Sequence, residues 1–422
     1  MHSVEKPEML QAKRKAIENF HDHVSSGKVS FYRQLNMEFV PGRREGPYLW
    51  DMDNEKRLFN LHTNGGTYNL GHRNPEVIKV LRAGLEEMDI GNGHLISKAR
   101  ADAAELLADL MPGDLEYTVF GVGGGEAVDL AIKVARAYTG RTGIISALGG
   151  YHGHTGLAMA AGDEKYRAPF GPQVPGFQQV PFDDSDALDK AMDHDTAAVV
   201  LETIPATLGM PIPQADYFKK IRAMCDAKGA LLIIDEVQTG LGRTGKLWAF
   251  EHFDVIPDMV VLGKGLSGGI YPITATVLRS PLESVFHADP HIHVSTFGGS
   301  ELGCLVACKV LEISSAPDFL DRVNQLATYF AQGIAGLREK HALLTGFRRL
   351  GLFMGLEMED EDCGPLLSLA AYQHDLLMVY ANNCKSVCQF LPPLTIDGTQ
   401  VEYVIRQLDK ALTTVREFKK IL

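Results

Sequence analysis

A chain of 422 residues is too long for one hydrophobic core and is usually divided into two or three domains. Its formal net charge of -12 argues against a nucleic-acid-binding protein, which needs basic surfaces against the phosphates. Residues 1–25 are rich in charge and no window approaches about 18 consecutive apolar residues, so we expect neither a secretory signal nor a membrane span. The six cysteines have no CxxC spacing, which predicts reduced thiols and a cytoplasmic protein.

Residues 1–60 carry the patterns of a helix followed by a small meander of strands. A highly charged amphipathic helix is predicted from about Lys6 to His23. Short β-like runs near Met37–Val40, Tyr48–Met52 and Arg57–Leu61 are separated by the turn signals PGRREG and DNEK. We expect this stretch to form part of a small domain.

Strand and helix patterns alternate through residues 61–310. Helices are predicted at about Pro75–Glu87 and Lys98–Leu110, where apolar residues recur every three or four positions. Strand and helix segments then follow one another from Tyr117 to Lys228. This order predicts a large α/β domain with a mostly parallel sheet covered by helices.

Residues 311–422 show a different order of elements. A long helix at about Asp318–Arg338 is followed by strands such as FMGLEM and by a terminal helix from about Gly398 to Lys420. We expect a smaller α+β domain here, which residues 1–60 complete.

Two predicted strands in the middle of the large domain each end in a single charged residue. The run LLIID ends in Asp235, and the run DMVVLGK ends in Lys264. Short apolar runs with β-branched residues predict buried strands of a parallel sheet, and such sheets bind ligands at the carboxyl ends of their strands. Either residue alone could be a cap or a solvated strand end. Two opposite charges on two strands favour a catalytic site.

A run of three glycines, Gly123–Gly125, stands between a predicted strand and a strongly periodic helix. Glycines at this junction let backbone NH groups approach an anion, and the helix dipole adds attraction, so a ligand with a phosphate is predicted. The spacing is neither GxGxxG nor that of a P-loop, so a nucleotide is not specifically indicated.

A pyridine aldehyde with a phosphate group would use several of these features together. It needs a lysine for a Schiff base, an acid at the ring nitrogen, an anion cradle and an aromatic side chain against the ring. The chain offers Lys264, Asp235, Gly124 with Gly125, and Tyr151 in suitable contexts.

The turn YHGH leaves two alternatives open. Tyr151 alone is more often a packing residue, and His152 and His154 could be metal ligands. No carboxylate or third histidine follows at ligand spacing, so we expect no metal.

The chain resembles the class III aminotransferases, which are pyridoxal 5'-phosphate enzymes of fold type I. The motifs LIIDEVQTGLGRTGKLWAFEHFDVIPDMVVLGKGLSGG and STFGGSELGC carry the resemblance, which extends from YLWDMDNEKRLFNL to FLPPLTI. It implies a seven-stranded, mostly parallel sheet, pyridoxal 5'-phosphate as the cofactor, and a homodimer with shared active sites. It also implies transfer of an amino group between an amino-acid donor and a carbonyl acceptor.

The resemblance further implies a role for each matched residue around the cofactor ring. Lys264 would form the Schiff base and then move the proton between substrate and cofactor, and Asp235 would pair with the ring nitrogen. Val237 and Tyr151 would pack on the two ring faces, and Gln238 would reach the ring hydroxyl.

The same resemblance implies the groups around the cofactor phosphate. Gly124 and Gly125 would donate backbone NH groups, and the partner subunit's Thr296 would add a hydroxyl. Glu202 matches a family acid near the cofactor.

Three departures from the family pattern bear on the substrate. GGGEAV, from Gly123 to Val128, replaces a pattern in which relatives carry a hydroxyl. Gln389 stands where many relatives have an arginine for a substrate α-carboxylate, and Thr207 stands where many have its glutamate partner. Glutamine cannot replace the charge or the bidentate geometry of arginine. The sequence therefore favours an amine on a carbon without a carboxylate, such as an amino sugar, an aminocyclitol or a diamine.

Other readings stay open at this stage. Arg43, Arg44, Arg73 and Arg167 are candidates for binding the acid of the amino donor. A decarboxylase, an epimerase or a lyase would use the same cofactor residues, because pocket groups decide the outcome. A non-catalytic binding protein is disfavoured because the lysine and the acid are both present.

Overall fold

The structure, a computed structural model that describes residues 6–420, arranges its strands in three sheets. The strands are β1 (Pro41–Glu45), β2 (Tyr48–Asp51), β3 (Arg57–Asn60), β4 (Leu115–Gly121), β5 (Gly143–Ala147), β6 (Phe177–Val180), β7 (Thr196–Glu202), β8 (Leu231–Asp235), β9 (Met259–Leu262), β10 (Thr274–Arg279), β11 (Leu344–Leu350), β12 (Phe353–Met358), β13 (Leu376–Leu377), β14 (Val379–Ala381) and β15 (Cys384–Phe390). The seven-stranded sheet has the order β4-β10-β9-β8-β7-β5-β6, and the four-stranded sheets have the orders β1-β2-β3-β13 and β11-β12-β15-β14.

Helices connect most of these strands. The α-helices are α1 (Lys6–His23), α2 (Ser26–Gln34), α3 (Thr63–Gly66), α4 (Pro75–Gly84), α5 (Lys98–Leu110), α6 (Gly124–Thr139), α7 (Gly156–Ala161), α8 (Glu164–Arg167), α9 (Ser185–Ala191), α10 (Tyr217–Lys228), α11 (Glu301–Ser314), α12 (Pro317–Lys340), α13 (Cys363–Gln373) and α14 (Gly398–Phe418). Helices α1 and α5 have the predicted bounds. Helix α4 starts as predicted at Pro75 but ends at Gly84, before Glu87.

The centre of the seven-stranded sheet is parallel and buried. Every residue of β7, β8 and β9 is buried, since their Val, Ile and Leu side chains pack against layers on both faces. The pairs β5–β6, β5–β7, β7–β8 and β8–β9 are parallel, whereas β10 runs antiparallel to both β4 and β9. The predicted, mostly parallel seven-stranded sheet is therefore confirmed.

The register of these strands brings charged residues to one edge of the sheet. Glu202, the last residue of β7, lies opposite Asp235, the last residue of β8, and Asp235 lies opposite Val261 of β9. Lys264 follows the end of β9 and begins one turn of 3-10 helix. The carboxyl ends of three neighbouring strands thus place two acids and a lysine close together.

Both ends of the chain contribute to a second hydrophobic core. Strand β13 pairs in parallel with β3, with Leu376 opposite Phe59. Phe59 and Leu61 pack with buried side chains between Val323 and Val415. These contacts join the N- and C-terminal segments, as the predicted fold requires. The domain boundaries themselves stay predictions.

The N-terminal meander differs from its predicted form. Met37–Val40 is not a strand, and β1 instead occupies the stretch PGRRE that we interpreted as a turn. The tight turn comes directly after β1, at Gly46, whose φ is +54. Strand β1 is exposed at every position, so it lacks the apolar alternation on which a prediction would rest. Helix α2, capped by the Ser25 side chain, was not predicted.

Two broader expectations concern the whole chain. No described helix is both long enough and apolar enough to cross a membrane. The six cysteines all lie within the described residues, and each is a free thiol. The cytoplasmic location stays a prediction.

Candidate active site

A cavity of about 160 Å³ opens at the carboxyl ends of β7 and β8, beside the start of α6. Its lining includes most of the predicted site residues, namely Gly124, Gly125, Tyr151, Glu202, Asp235, Val237, Gln238 and Lys264. Thr296 lies outside this cavity as residues 6–420 form it, and its side chain is exposed. The strand edge therefore collects side chains from distant parts of the chain into one site.

Asp235 is buried and held by two hydrogen-bond donors. Its Oδ1 accepts from the backbone NH of Val237 at 3.0 Å, and its Oδ2 lies 2.9 Å from Nδ1 of His152. Burial lowers the pKa of His152, but the hydrogen bond and the charge of Asp235 outweigh burial and raise this pKa above its ordinary value. Asp235 thus has a fixed orientation and lies against a histidine whose protonated form it stabilises.

His152 is a site residue whose role the sequence did not reveal. The sequence offered it only as a candidate metal ligand, whereas the structure places it against Asp235. Its Nε2 is buried and has no hydrogen-bond partner among residues 6–420. His154 makes edge-on ring contacts with Tyr151 and Tyr166 instead. A histidine beside a predicted aromatic residue at a strand end is the signal that could have suggested a role next to the acid.

Lys264 is tethered by a chain of amide groups. Its Nζ donates to Oε1 of Gln238 at 3.0 Å, and Nε2 of Gln238 donates to Oε1 of Gln389 at 3.4 Å. Burial lowers the pKa of the lysine below its ordinary value, against the opposing effect of the nearby carboxylates of Asp235 and Glu202. Burial thus increases the fraction of neutral amine, and the hydrogen bond to Gln238 gives the amine a defined direction.

Glu202 is a buried acid with a raised pKa. Its Oε1 accepts from the backbone NH of Tyr151 at 2.9 Å. Burial raises the pKa of Glu202 to about 7; His152 lowers it and the adjacent Asp235 raises it further. Burial also raises the pKa of the Tyr151 phenol, as do the charges of Glu202 and Asp235. These residues form one coupled set of charges beneath the cavity.

The start of α6 provides an open cradle. The helix has 16 residues and begins after Gly123 without a side-chain cap from any described residue. A Cβ atom on Gly124 would lie 3.3 Å from Cγ1 of Val237, and one on Gly125 would lie 2.8 Å from Oγ1 of Thr155. The uncapped NH groups and the absent side chains suit an anion such as a phosphate.

The residues at two of the three departures from the family pattern, Gln389 and Thr207, lie in different surroundings. Gln389 is buried and reaches Gln238, the partner of Lys264. The hydroxyl of Thr207 instead donates to the backbone carbonyl of Gly149 at 2.9 Å. Neither residue brings a positive charge to the lysine.

The four candidate arginines do not line the cavity around the lysine. Arg43, Arg44 and Arg73 lie around a different cavity of about 990 Å³. Arg167 donates to Oε1 of Gln179 at 3.4 Å. The assignment of an arginine to the donor carboxylate stays a prediction.

Comparison with known proteins gives a consistent result. The profile of the family described as Aminotransferase class-III matches residues 31–412. An uncharacterized aminotransferase of Archaeoglobus fulgidus is 53% identical over 412 residues, which cover 98% of this chain and 97% of that protein.

Solved structures show the same likeness. An ornithine aminotransferase from Toxoplasma gondii, whose structure reveals partial occupancy of PLP at its active site, has a TM-score of 0.85 and 27% identity, covering 97% of this chain and 99% of its own. An (S)-enantioselective omega-transaminase from Thermomicrobium roseum has a TM-score of 0.88 and 25% identity, covering 95% of this chain and 98% of its own.

Proposed function

The chain belongs to the aminotransferase class-III family and is a transaminase of fold type I, and we propose that it uses pyridoxal 5'-phosphate to move an amino group between an amino-acid donor and a carbonyl acceptor. One observation carries the choice of cofactor: a single cavity joins a buried lysine, a buried carboxylate and the uncapped start of α6. When bound, this cofactor supplies an aldehyde carbon and an electron-withdrawing ring.

Lys264 is the residue that would hold the aldehyde carbon and move the proton. Its lowered pKa increases the fraction of neutral amine, the form that acts as a nucleophile and as a base. Its Nζ would take the proton from the substrate carbon that carries the amino group. The hydrogen bond to Gln238 limits the directions in which this amine can point.

Asp235 would hold a proton at the ring nitrogen. Because His152 and the NH of Val237 both donate to its oxygens, the carboxylate is stabilised as an anion inside the protein. Tyr151 and Val237 line the same cavity and would cover the ring. The buried setting keeps these interactions strong because water is excluded.

The phosphate would lie at the start of α6, and a second subunit would complete its binding. Gly124 and Gly125 would donate NH groups, and the partner subunit's Thr296 would add its hydroxyl. In support, the apolar side chains of Ile292, Val294 and Phe297, which flank this threonine, are 59%, 62% and 59% exposed. Exposed apolar side chains clustered in one segment favour a protein interface, here in a homodimer.

The preferred substrate carries its amino group on a carbon without a carboxylate. Neither Gln389 nor Thr207 carries a charge that could pair with a substrate carboxylate, and the Thr207 hydroxyl already donates its hydrogen bond to a backbone carbonyl. An amino sugar, an aminocyclitol or a diamine meets this condition. A panel of such amines that contain no carboxylate at all, set against ornithine and 4-aminobutyrate, which carry a carboxylate elsewhere in the molecule, tests the substrate class in the amino-transfer half-reaction.

The central prediction concerns Lys264. Purified protein with pyridoxal 5'-phosphate should show a visible absorbance band that disappears on mixing with an amino donor, as pyridoxamine phosphate accumulates. In Lys264→Ala we expect the band to be lost and the rate to fall by about 10²- to 10⁴-fold or more, because the covalent contact and the base are both removed.

Lys340→Ala is the control for this prediction, since the exposed Lys340 at the end of α12 pairs with Asp409 of α14 and lies outside the site. It should retain the band and the rate. A wild-type protein that takes up no cofactor contradicts the proposal. A cofactor-loaded protein that releases carbon dioxide or epimerised product, with no pyridoxamine phosphate, would favour the decarboxylase or epimerase alternative.

A further inference from the structure

A left-handed turn lies directly against the reactive lysine. Thr63, Asn64, Gly65 and Gly66 have φ values of 49, 52, 66 and 95. Left-handed backbone is costly for residues other than glycine, most of all for a β-branched residue such as Thr63. Lys264 itself has φ 43. Two segments with strained backbone therefore meet at the same amine, which indicates a functional constraint.

The contact between the two segments is close and specific. A Cβ atom on Gly65 would lie 3.3 Å from Cε of Lys264, 3.5 Å from its Nζ and 3.6 Å from Nε2 of Gln238. Burial and the charge of Lys264 lower the pKa of His62, at the start of the turn, to about 4. The turn thus faces the lysine, and the missing side chain at Gly65 leaves space at the nitrogen.

Buried hydrogen bonds hold the turn in place. Oδ1 of Asn60 accepts from the backbone NH groups of His62 at 3.2 Å and Thr63 at 2.7 Å. Oγ1 of Thr63 accepts from the NH of Gly66 at 3.2 Å. Asn60 is fixed in turn by a 3.0 Å contact with Nε2 of His72. Because this network is rigid, the space beside the lysine has a defined width.

We propose that Gly65 sets the width of the substrate site at Lys264, and that the enzyme accepts amines whose reacting carbon belongs to a ring or carries bulky groups on both sides. The inference rests on the proposed function, because Nζ of Lys264 must approach the reacting carbon to move its proton. Any protein group within about 4 Å of that nitrogen then competes for space with the substituents of the reacting carbon. A glycine admits a ring where even a methyl group would obstruct it.

The test compares two amines with six carbons, cyclohexylamine and n-hexylamine, in the half-reaction of the cofactor-loaded enzyme. We expect wild type to react with both. In Gly65→Ala the rate with cyclohexylamine should fall at least about tenfold more than the rate with n-hexylamine, since a misplaced methyl in a substrate pocket has effects of this order.

Gly66→Ala is the matched control. Gly66 also has positive φ, so alanine strains the backbone there too, but its Cβ would face Oδ1 of Asn69 at 3.3 Å and the carbonyl of Gln238 at 3.4 Å. This variant should change the rates of both amines by the same factor. Identical selectivity in the two variants overturns the proposal.

The wild-type enzyme also provides a test that does not depend on folding of the variants. If L-alanine converts the cofactor but cyclohexylamine does not react, the site is narrow and the proposal is wrong, while the proposed function stands. If neither L-glutamate nor L-alanine, nor any other amino acid of a donor panel, changes the absorbance of the bound cofactor, the proposed function itself fails.

Discussion

At the scale of single residues, the site depends on which buried charges have partners. Asp235 is held by His152 and by a backbone NH, and Lys264 is held by Gln238. Glu202 has the backbone NH of Tyr151 as a donor and lies next to Asp235 in the sheet register. Burial beside another acid therefore raises the pKa of Glu202 to about 7, and burial raises the pKa of Glu236 to about 7 as well.

Glu202 gives a prediction about pH and stability. Burial raises its folded-state pKa from 4.5 to about 7, so between these pH values the folded state keeps a proton that the unfolded state has lost. The unfolding free energy should therefore fall as pH rises through this window, by on the order of 3 kcal/mol at about 1.4 kcal/mol per pKa unit. Because the pKa of Glu236 is also raised to about 7, Glu202→Gln, which retains an acceptor for Tyr151, should remove about half of the slope that these two buried acids produce.

The measurement is urea unfolding of the cofactor-free protein between pH about 5 and about 8. Glu361→Gln is the control, because Glu361 is an exposed acid and its replacement makes the same change in charge. It should leave the slope unchanged. Equal slopes in wild type and Glu202→Gln would show that this acid is not protonated in the folded protein.

At the scale of elements, the junction between β4 and α6 is what presents backbone donors to the cavity. Strand β4 ends at Gly121 and α6 begins at Gly124, so Val122 and Gly123 join the strand to an amphipathic helix whose first two residues are glycines. A glycine at the N-cap satisfies no helix NH with a side chain, which leaves these groups for a ligand. An anion bound there would accept hydrogen bonds from these NH groups and interact favourably with the helix dipole.

Two alanine substitutions in this junction should differ in their effect. We expect Gly125→Ala to weaken cofactor binding by about tenfold or more, because its Cβ would meet Oγ1 of Thr155 at 2.8 Å and force the cradle to shift. Gly123→Ala should change affinity by less than about threefold, since no described atom lies within 4 Å of a Cβ there and φ is -138. Titration of the cofactor by absorbance gives both affinities. Equal losses would contradict a cradle centred on Gly125.

At the scale of the whole molecule, the proposed homodimer makes each active site depend on both subunits. Thr296 lies outside the cavity of its own chain and is surrounded in sequence by exposed apolar residues. The N- and C-terminal segments share a second core, which positions the strand that carries Gln389 against the cavity of the large sheet. Assembly of the proposed dimer and packing of the second core would therefore both shape the site.

Mixed dimers test this arrangement. The dimer to prepare contains one Lys264→Ala subunit and one Thr296→Ala subunit. If Thr296 acts across the interface, both substitutions fall in the same active site. The other active site then keeps both natural residues. That dimer should have one active site with wild-type affinity for the cofactor, whereas the Thr296→Ala homodimer should bind it more weakly. Weak binding in the mixed dimer too would mean that Thr296 acts within its own subunit, and a monomer in solution would contradict the dimer.

Much of the site was predictable because its chemistry sits at the ends of regular elements. Asp235 and Lys264 follow uninterrupted apolar runs, and a parallel sheet can place a charge only where such a run ends. The glycines before α6 were predictable because they interrupt two strong periodicities. Strand β1 was misjudged because an exposed edge strand has no apolar pattern.

The sequence by itself thus determined the fold class and predicted the lysine, the acid and the anion cradle, since each leaves a local pattern or a family motif. Only the tertiary structure decided which distant groups touch them. His152 contacts Asp235 although the two residues are 83 positions apart in the chain, and Gln389 contacts Gln238 although they are 151 positions apart. Gly65, which comes early in the chain, packs against Lys264. Such contacts follow from how buried surfaces pack, and that packing depends on the whole chain at once and not on any short stretch of it.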